Sequence, residues 1–404
     1  MRFLHLANWN STNIGNGALA LGAERVLMED LGEGTTFLRE PWDDYTFGLK
    51  DFDQSFVELV NSSCDALLIN GAVTLNGRPY LKNAGMRFDL PLPLWDKITK
   101  PIVFYGISYR LWAHQKYHHL EQFKAAMNYI LSHPEKILFA VRNDGTKEWL
   151  KKRLNIDSPL IYEIPDTGTF VPHTDDIQYP ELDARKKNII IAFNNEDETH
   201  RFLGFTHQLV VLGSYFWSEE KIQKFFARVF VVRNNKERFL KRLARVVERI
   251  AMEYEVNIIL APHYLDDYKM VGEFISKLKP RVAHQMTVSI GLLKVAHTKY
   301  FYGRYAKADL ALTMRVHAMS PSIGMGVPVV PIVSQGRMTE YLSRIGLSDI
   351  AVNVFDQYLE ETLYAKAKAI LDDPTTIRKQ CASAVEAMRK DLHLFNQKLS
   401  SFLE

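Results

Sequence analysis

Short apolar runs alternate with amphipathic stretches along the whole chain. In the first half the pattern predicts strands at 2–7, 66–69, 102–105, 137–141 and 160–163, with helices at 18–31, 118–132 and 146–154. The second half repeats the scheme, with strands near 188–193, 256–260, 309–314 and 327–332. Its helices are predicted near 236–254, 267–279, 319–324 and 338–345. Strands that alternate with helices build parallel sheets from βαβ units. The segment 170–187 carries Pro172 and Pro180 and has no apolar period, which predicts a linker between two Rossmann-like halves. Beyond Asp349 the pattern is helical to Glu404, broken at Asp373-Pro374. The expected fold class is α/β. Two Rossmann-like domains, 1–175 and 186–375, face a cleft, and a closing helix at 376–404 is free to pack back on the first.

Composition changes this picture little. At 404 residues, 47% hydrophobic and 24% charged, the chain is that of an ordinary soluble protein of two or three domains. A net charge of +3 is too small at this length to point to nucleic acid. Cys64 and Cys381 lie far apart and match no metal spacing, which excludes a disulfide framework though not a single bridge. The first apolar run, Met1 to Ala7, is too short for a signal peptide, and no run approaches the roughly 20 residues that span a bilayer. A cytoplasmic protein is expected. The sequons Asn10-Ser11-Thr12 and Asn61-Ser62-Ser63 would matter only in a secreted chain.

The chemistry concentrates where the apolar run Leu310 to Met314 ends in Arg315-Val316-His317-Ala318. Side chains at the C-terminal end of a strand in an open α/β sheet face the ligand crevice. Arg315 presents a planar fork matched to carboxylate or phosphate, and His317 carries a proton near neutral pH. The expected ligand is a small anion that needs proton transfer. The plainer alternative pairs Arg315 with a carboxylate and uses His317 as a helix cap. A highly charged anion needs a second cation, for which Arg201 and Arg337 are the candidates. Asn13, Gly15 and Asn16 lie between a strand and a helix start, where unpaired N–H groups make an anion or hydroxyl site, or only a tight turn.

Other signals are weaker. Gly15-Asn16-Gly17 is followed by Leu19-Ala20, so the dinucleotide fingerprint is incomplete and a nicotinamide cofactor is not expected. His114, His118 and His119 stand at helical spacing without the glutamate of a zinc helix, and Asp51-Phe52-Asp53 is a three-residue match to a metal–nucleotide pair. No metal is expected. From Lys221 to Arg249 the chain carries ten Lys or Arg against two Glu, with Phe239, Leu243, Val246, Val247 and Ile250 on one helical face. The plain reading packs that face on the second sheet. The sharper one adds peripheral contact with an anionic membrane or a lipid-pyrophosphate acceptor.

Taken in order, these landmarks resemble the polysaccharide pyruvyl transferase family, whose fold is similar to GT-B glycosyltransferases. The resemblance spans most of the chain. It runs through Asn13-Ile14-Gly15-Asn16-Gly17-Ala18, through Ala66-Leu67-Leu68-Ile69-Asn70-Gly71-Ala72, and through Pro101-Ile102-Val103-Phe104-Tyr105-Gly106-Ile107-Ser108. It continues in Ala140-Val141-Arg142-Asn143-Asp144 before a helix, in Asp166 at an acidic landmark, and most strongly in Arg315-Val316-His317-Ala318 with Gly326-Val327-Pro328-Val329. The chain departs from the family at Asn16, where an acid is usual, at Ala72, usually glycine, and at Arg337, commonly lysine.

The resemblance implies transfer of the pyruvyl group of phosphoenolpyruvate, as substrate and with no cofactor, to sugar hydroxyls as a ketal. The acceptor it implies is a glycan, a nucleotide sugar or a lipid-linked sugar in cell-envelope polysaccharide assembly, in the cytoplasm or at the inner face of the membrane. It makes 1–175 the acceptor domain and 186–375 the donor domain. Arg315 becomes the donor clamp, Val316 a backbone contact and His317 the general acid or base. The alternative is a GT-B-like glycosyltransferase with a nucleotide-sugar donor, for which Glu340 is the one ribose-binding carboxylate in reach. A catalytically idle binding module is a third option. The sequence leaves the oligomeric state open.

Overall fold

The computed structural model describes residues 1–71, 73–109, 117–174, 176–203, 217–218, 221, 225, 230–288 and 294–404, and in it both halves form open parallel sheets. The first holds β1 (Arg2–Ala7), β2 (Thr36–Pro41), β3 (Ala66–Asn70), β4 (Val73–Leu75), β5 (Ile102–Tyr109), β6 (Ile137–Arg142) and β7 (Ile161–Ile164). Their order is β2-β1-β3-β5-β6-β7, with β4 pairing on β5. The second holds β8 (Lys187–Ala192), β9 (Val256–Leu260), β10 (Met286–Val288), β11 (Leu310–Thr313), β12 (Val329–Val333) and β13 (Val352–Asn353), in the order β10-β9-β8-β11-β12-β13. The strand order turns back between β1 and β3 in one sheet and between β8 and β11 in the other. Ligands of open α/β sheets sit outside the strand C-termini at such breaks. The two halves make the GT-B-like arrangement expected of the sequence.

The principal helices are α1 (Ile14–Leu31), α2 (Gln54–Ser63), α3 (Leu120–Ser132), α4 (Thr146–Leu154), α5 (Phe230–Glu253), α6 (Asp267–Ile275), α7 (Thr298–Ala306), α8 (Val316–Gly324), α9 (Gly336–Arg344), α10 (Leu359–Asp372) and α11 (Thr375–Leu403). Most central strands match the sequence pattern to within a few residues, because their cores are wholly buried apolar runs. The strands it does not predict are β2, β4, β10 and β13. The outer ones are short or half-exposed edges, and an edge needs no continuous apolar run.

Helix α1 begins at Ile14 rather than at residue 18. Asn13 caps it, its side-chain oxygen accepting from Gly15 N at 3.1 Å. Glycines near its start hide it from a propensity reading. Further along, Gly22 lies against the Thr167 carbonyl so closely that a Cβ would collide with it. Helix α3 begins at Leu120, so His118 and His119 precede it. His119 is left-handed at φ 55°, with its ring on the Pro79 carbonyl at 2.8 Å, and His114 lies outside the described residues. The histidine spacing is therefore not a helical ladder. Asp53 caps α2 by accepting from Ser55 N at 2.8 Å.

Helix α11 returns to the first sheet's side. Arg389 forks onto Asp30 at 2.7 and 2.9 Å, and Tyr105 Oη donates to Asn396 at 2.8 Å. On α5 the face of Phe239, Leu243, Val246, Val247 and Ile250 is buried, as the plain reading expects. Arg245 pairs with Glu360 at 3.0 Å, Arg242 donates to the Asp356 and Gln357 carbonyls, and Arg249 stacks on Tyr364 at 3.5 Å. Lys224 and Arg228 of that basic stretch lie outside the described residues. Cys64 and Cys381 are buried free thiols. Among the described residues no helix is long and apolar enough to cross a membrane.

Candidate active site

A cavity of about 260 Å3 opens where the two topological breaks meet. Asn13 and Asn76 line it from the loops after β1 and β4, Asn16 from the first turn of α1, and Arg142 from the end of β6. Asn194, Glu196 and Arg201 follow β8, Arg315, Val316 and His317 follow β11, and Gln335 and Arg337 follow β12. Arg78 and Arg87 complete the wall on the first-domain side. Of the residues that the sequence offers for the pyruvyl reading, all except Gly15 touch the cavity, and Gly15 acts on it from behind.

His317 stands at the start of α8, at a non-helical turn of φ −83° and ψ 15°. Tyr302 Oη donates to its carbonyl. Gly15 lies under the ring: a Cβ there would fall 2.7 Å from His317 Cβ and 2.9 Å from Nδ1. That approach across the domains explains the glycine. Arg142 Nη1 lies 3.2 Å from His317 Nε2. Since a guanidinium only donates, Nε2 accepts, which puts the neutral ring's proton on Nδ1. Asp166 Oδ2 lies 3.2 Å from Arg142 Nη1 and 3.7 Å from His317 Nε2.

The electrostatics of this trio follow from burial. Burial pushes the His317 pKa below its ordinary 6.5, with Asp166 opposing and Arg142 and Arg337 reinforcing the shift. Asp166 is fully buried, which by itself would raise its pKa. The Arg142 charge and the His317 contact outweigh burial and bring it to about 2. Its Oδ1 also accepts from Gly168 N at 2.8 Å and Ser320 Oγ at 3.2 Å. The site thus holds a neutral imidazole beside a fixed carboxylate and a fixed guanidinium, a set that can take a proton and stabilise the imidazolium formed.

Arg315 is less open than its sequence position suggests. Asp267 holds its fork at 2.8 Å (Nε to Oδ2) and 2.6 Å (Nη2 to Oδ1), while Nη1 lies 3.6 Å from Glu196. The carboxylate pairing weighed as the plainer alternative is therefore present, although Arg315 also lines the cavity. Asp267 further accepts from the backbone N–H groups of Asn195, His263 and Tyr264, and so ties together the loops after β8, β9 and β11.

Arg201 is buried, donating from Nε to the Glu196 carbonyl at 2.6 Å and from Nη1 to Ser334 Oγ at 3.1 Å. Arg337 reaches across the cleft, donating to Ser108 Oγ and the Tyr109 carbonyl, both at 2.9 Å. Glu340, the carboxylate considered for a nucleotide ribose, is exposed against Gly145 and does not line the cavity.

Arg142 and Asp166 enter the sequence only as landmarks of the resemblance. The logic that selects Arg315 would also have found Arg142, because both follow an apolar strand. Arg78 and Arg87 carry no such signal, since they lie in an irregular loop.

The polysaccharide pyruvyl transferase family matches residues 13–336. The chain belongs to that family. No curated protein matches this polysaccharide pyruvyl transferase family member in sequence. Among solved structures it is similar to the S. aureus MnaA–UDP co-structure, at TM-score 0.50 and 14% identity over 95% of this chain and 91% of that one. It is also similar to the UDP-GlcNAc 2-epimerase of Methanocaldococcus jannaschii, at TM-score 0.50 and 10% identity over 92% of each chain. The E. coli ADP-heptose lps heptosyltransferase II gives TM-score 0.44 at 10% identity, over 93% of this chain and all of that one. Likeness at these identities concerns the fold.

Proposed function

We propose that this family member transfers the pyruvyl group of phosphoenolpyruvate to sugar hydroxyls of a cell-surface glycan or its precursor, forming a ketal. The observation that supports this best is the Arg142–Asp166–His317 trio set in an arginine-lined cavity between the domains. Phosphoenolpyruvate carries its phosphate ester and its carboxylate on the same carbon, and Arg201, Arg315 and Arg337 converge on the cavity from the second domain to match them.

The balance of the reaction assigns roles. A proton added to the methylene carbon of the donor leaves positive character on the neighbouring carbon, which a sugar hydroxyl attacks with loss of its proton. The C–O bond to phosphate then breaks, phosphate leaves, and a second hydroxyl of the same sugar closes the ketal. Two hydroxyl protons are released, one balancing the new methyl group and one leaving with phosphate. His317, neutral in the free protein, takes the proton of the attacking hydroxyl and, as imidazolium, gives it to the methylene carbon within the same addition step, with Asp166 holding that charge. No resident cofactor enters this scheme. A donor drawn from central metabolism places the protein, on this reading, in the cytoplasm or at the inner membrane face.

Calorimetric titration with phosphoenolpyruvate, beside a UDP-sugar, tests the donor. Saturable binding of phosphoenolpyruvate that Arg201→Ala weakens at least tenfold is expected. Binding of the UDP-sugar alone would overturn the reading in favour of nucleotide-sugar transfer. In D2O, a ketal methyl group carrying one deuteron would report protonation of the methylene carbon.

A further inference from the structure

The arginines of the cavity differ in what holds them. Arg142 and Arg315 lie within ion-pair distance of Asp166 and Asp267, and Arg337 lies 3.7 Å from Asp144. On the first-domain wall, Arg87 has no carboxylate within ion-pair distance among the described residues. It donates from Nη1 to Asn8 Oδ1 at 3.2 Å and from Nη2 to Thr46 Oγ1 at 2.8 Å, and lies 5.0 Å above the Trp42 ring. The orientation is enforced: Asn8 Nδ2 donates to Asp43 at 2.8 Å, which turns the amide oxygen toward Arg87, and Trp42 Nε1 donates to the Arg87 carbonyl.

A half-buried guanidinium held by neutral acceptors is electrostatically incomplete, since burial disfavours a charge that nothing opposite compensates. Burial accordingly pulls its pKa down, with only Tyr80 and Asp43 opposing. Arg78, exposed on the same wall, has no ion pair among the described residues either. Beside them Asn76 is buried, with Nδ2 bonded to the Val73 carbonyl and Oδ1 without a hydrogen-bond partner. An oriented cation and a second cation on one wall of the cavity, with the Asn76 side chain beside them, have the chemistry to receive an anionic sugar. The cations would take the charged group.

We propose that Arg87, with Arg78 and Asn76, forms an acceptor subsite that selects a sugar bearing its own negative charge, a phosphate ester or a carboxylate. The proposal rests on the transfer reading above, which puts the donor among the second-domain arginines on the opposite wall.

The test uses the full chain saturated with phosphoenolpyruvate, titrated with glucose 1-phosphate, glucuronate and, as the neutral probe, methyl glucoside. One or both charged sugars are expected to bind without displacing phosphoenolpyruvate and at least tenfold more tightly than methyl glucoside. The tighter of the two identifies phosphate or carboxylate as the recognised group. Arg87→Gln should weaken the charged sugar at least tenfold and phosphoenolpyruvate less than twofold. Arg78→Gln, at an exposed position with no side-chain partner among the described residues, should weaken the charged sugar in the same direction. The proposal is overturned if the charged sugars compete with phosphoenolpyruvate, if neither binds, if methyl glucoside binds equally well, or if Arg87→Gln acts mainly on phosphoenolpyruvate. Failure of phosphoenolpyruvate to bind the wild type, with glucose 1-phosphate still bound through Arg87, would defeat the transfer reading and leave the anionic-sugar subsite standing.

Discussion

At the scale of single residues, the site depends on how His317 is surrounded. Its pKa is depressed by burial and held up by Asp166, so a rate that needs the neutral imidazole should fall as pH drops through a value below 6.5. Asp166→Asn removes the opposing charge, and the acidic limb of the rate profile should move to lower pH. The same change should lower kcat about 100-fold, the low end of what a positioned acid or base contributes. An unmoved limb would show that His317 is not the titrating group. Gly15→Ala tests the ring from the other side. Its Cβ would meet His317 Cβ at 2.7 Å, so the imidazole or the start of α1 must shift. A cost of about 1–3 kcal/mol is expected by overpacking, with a larger loss of turnover than of melting temperature. Both residues are legible in the sequence, His317 by its place after a strand and Gly15 by its loop. Their contact is not, because more than 300 positions of chain separate them.

Among elements, the loops at the strand ends are organised by Asp267 at the start of α6. It accepts the Arg315 fork and three backbone N–H groups from two other loops. Breaking a buried ion pair by removing one partner costs about 3–5 kcal/mol. Asp267→Ala should lose stability on that scale in urea unfolding, and phosphoenolpyruvate binding with it. Arg337→Ala should instead keep most of the stability, because Arg337 is partly exposed, while weakening donor binding and the hold of α9 on the end of β5. Equal losses of stability in the two variants would contradict this division. The apolar periods of the sequence mark most strands of both sheets, since a strand buried on both faces must be apolar. They miss the edges at β2, β10 and β13, where only one side is paired. They also place the start of α1 late, because glycine lowers helix propensity where domain contact demands it.

For the whole molecule, acid should act in two stages. His263 is fully buried with a pKa well below 6.5, mainly through burial with Arg315 adding to it, and His317 is shifted the same way. Both bind protons more readily unfolded than folded, so their contribution is complete above pH 6.5 and is lost as pH falls toward the folded values. Asp166, lowered from 3.8 to about 2, adds stability above pH 3.8 that is lost between there and pH 2. That shift corresponds to about 2 kcal/mol. Urea midpoints should therefore drop between pH 7 and 5 and again below pH 4, and a flat profile from 7 to 5 would refute the buried-histidine part. Helix α11 is the other global element. Removing it takes away the partners of Asp30 and Tyr105 and uncovers apolar surface. A chain ending at Pro374 should show amide exchange in β5 and β7 much faster than in β8 and β9.

Local pattern was enough to settle the alternation of strands and helices, the division into halves, and the Arg-x-His turn at a strand end. Each of these is a matter of neighbouring residues and their period. The strand order, and with it the two breaks that face each other, depends on which strands pair across tens of residues, and no local period encodes that. The partners of the charged side chains were likewise decided only in three dimensions. Asp267 takes the fork of Arg315, and Arg142 with Asp166 encloses His317. Arg87, silent in the sequence, stands in the cavity with no carboxylate paired to it among the described residues. A charge in a sequence states what it can pair with, and only the packed fold determines which partner reaches it.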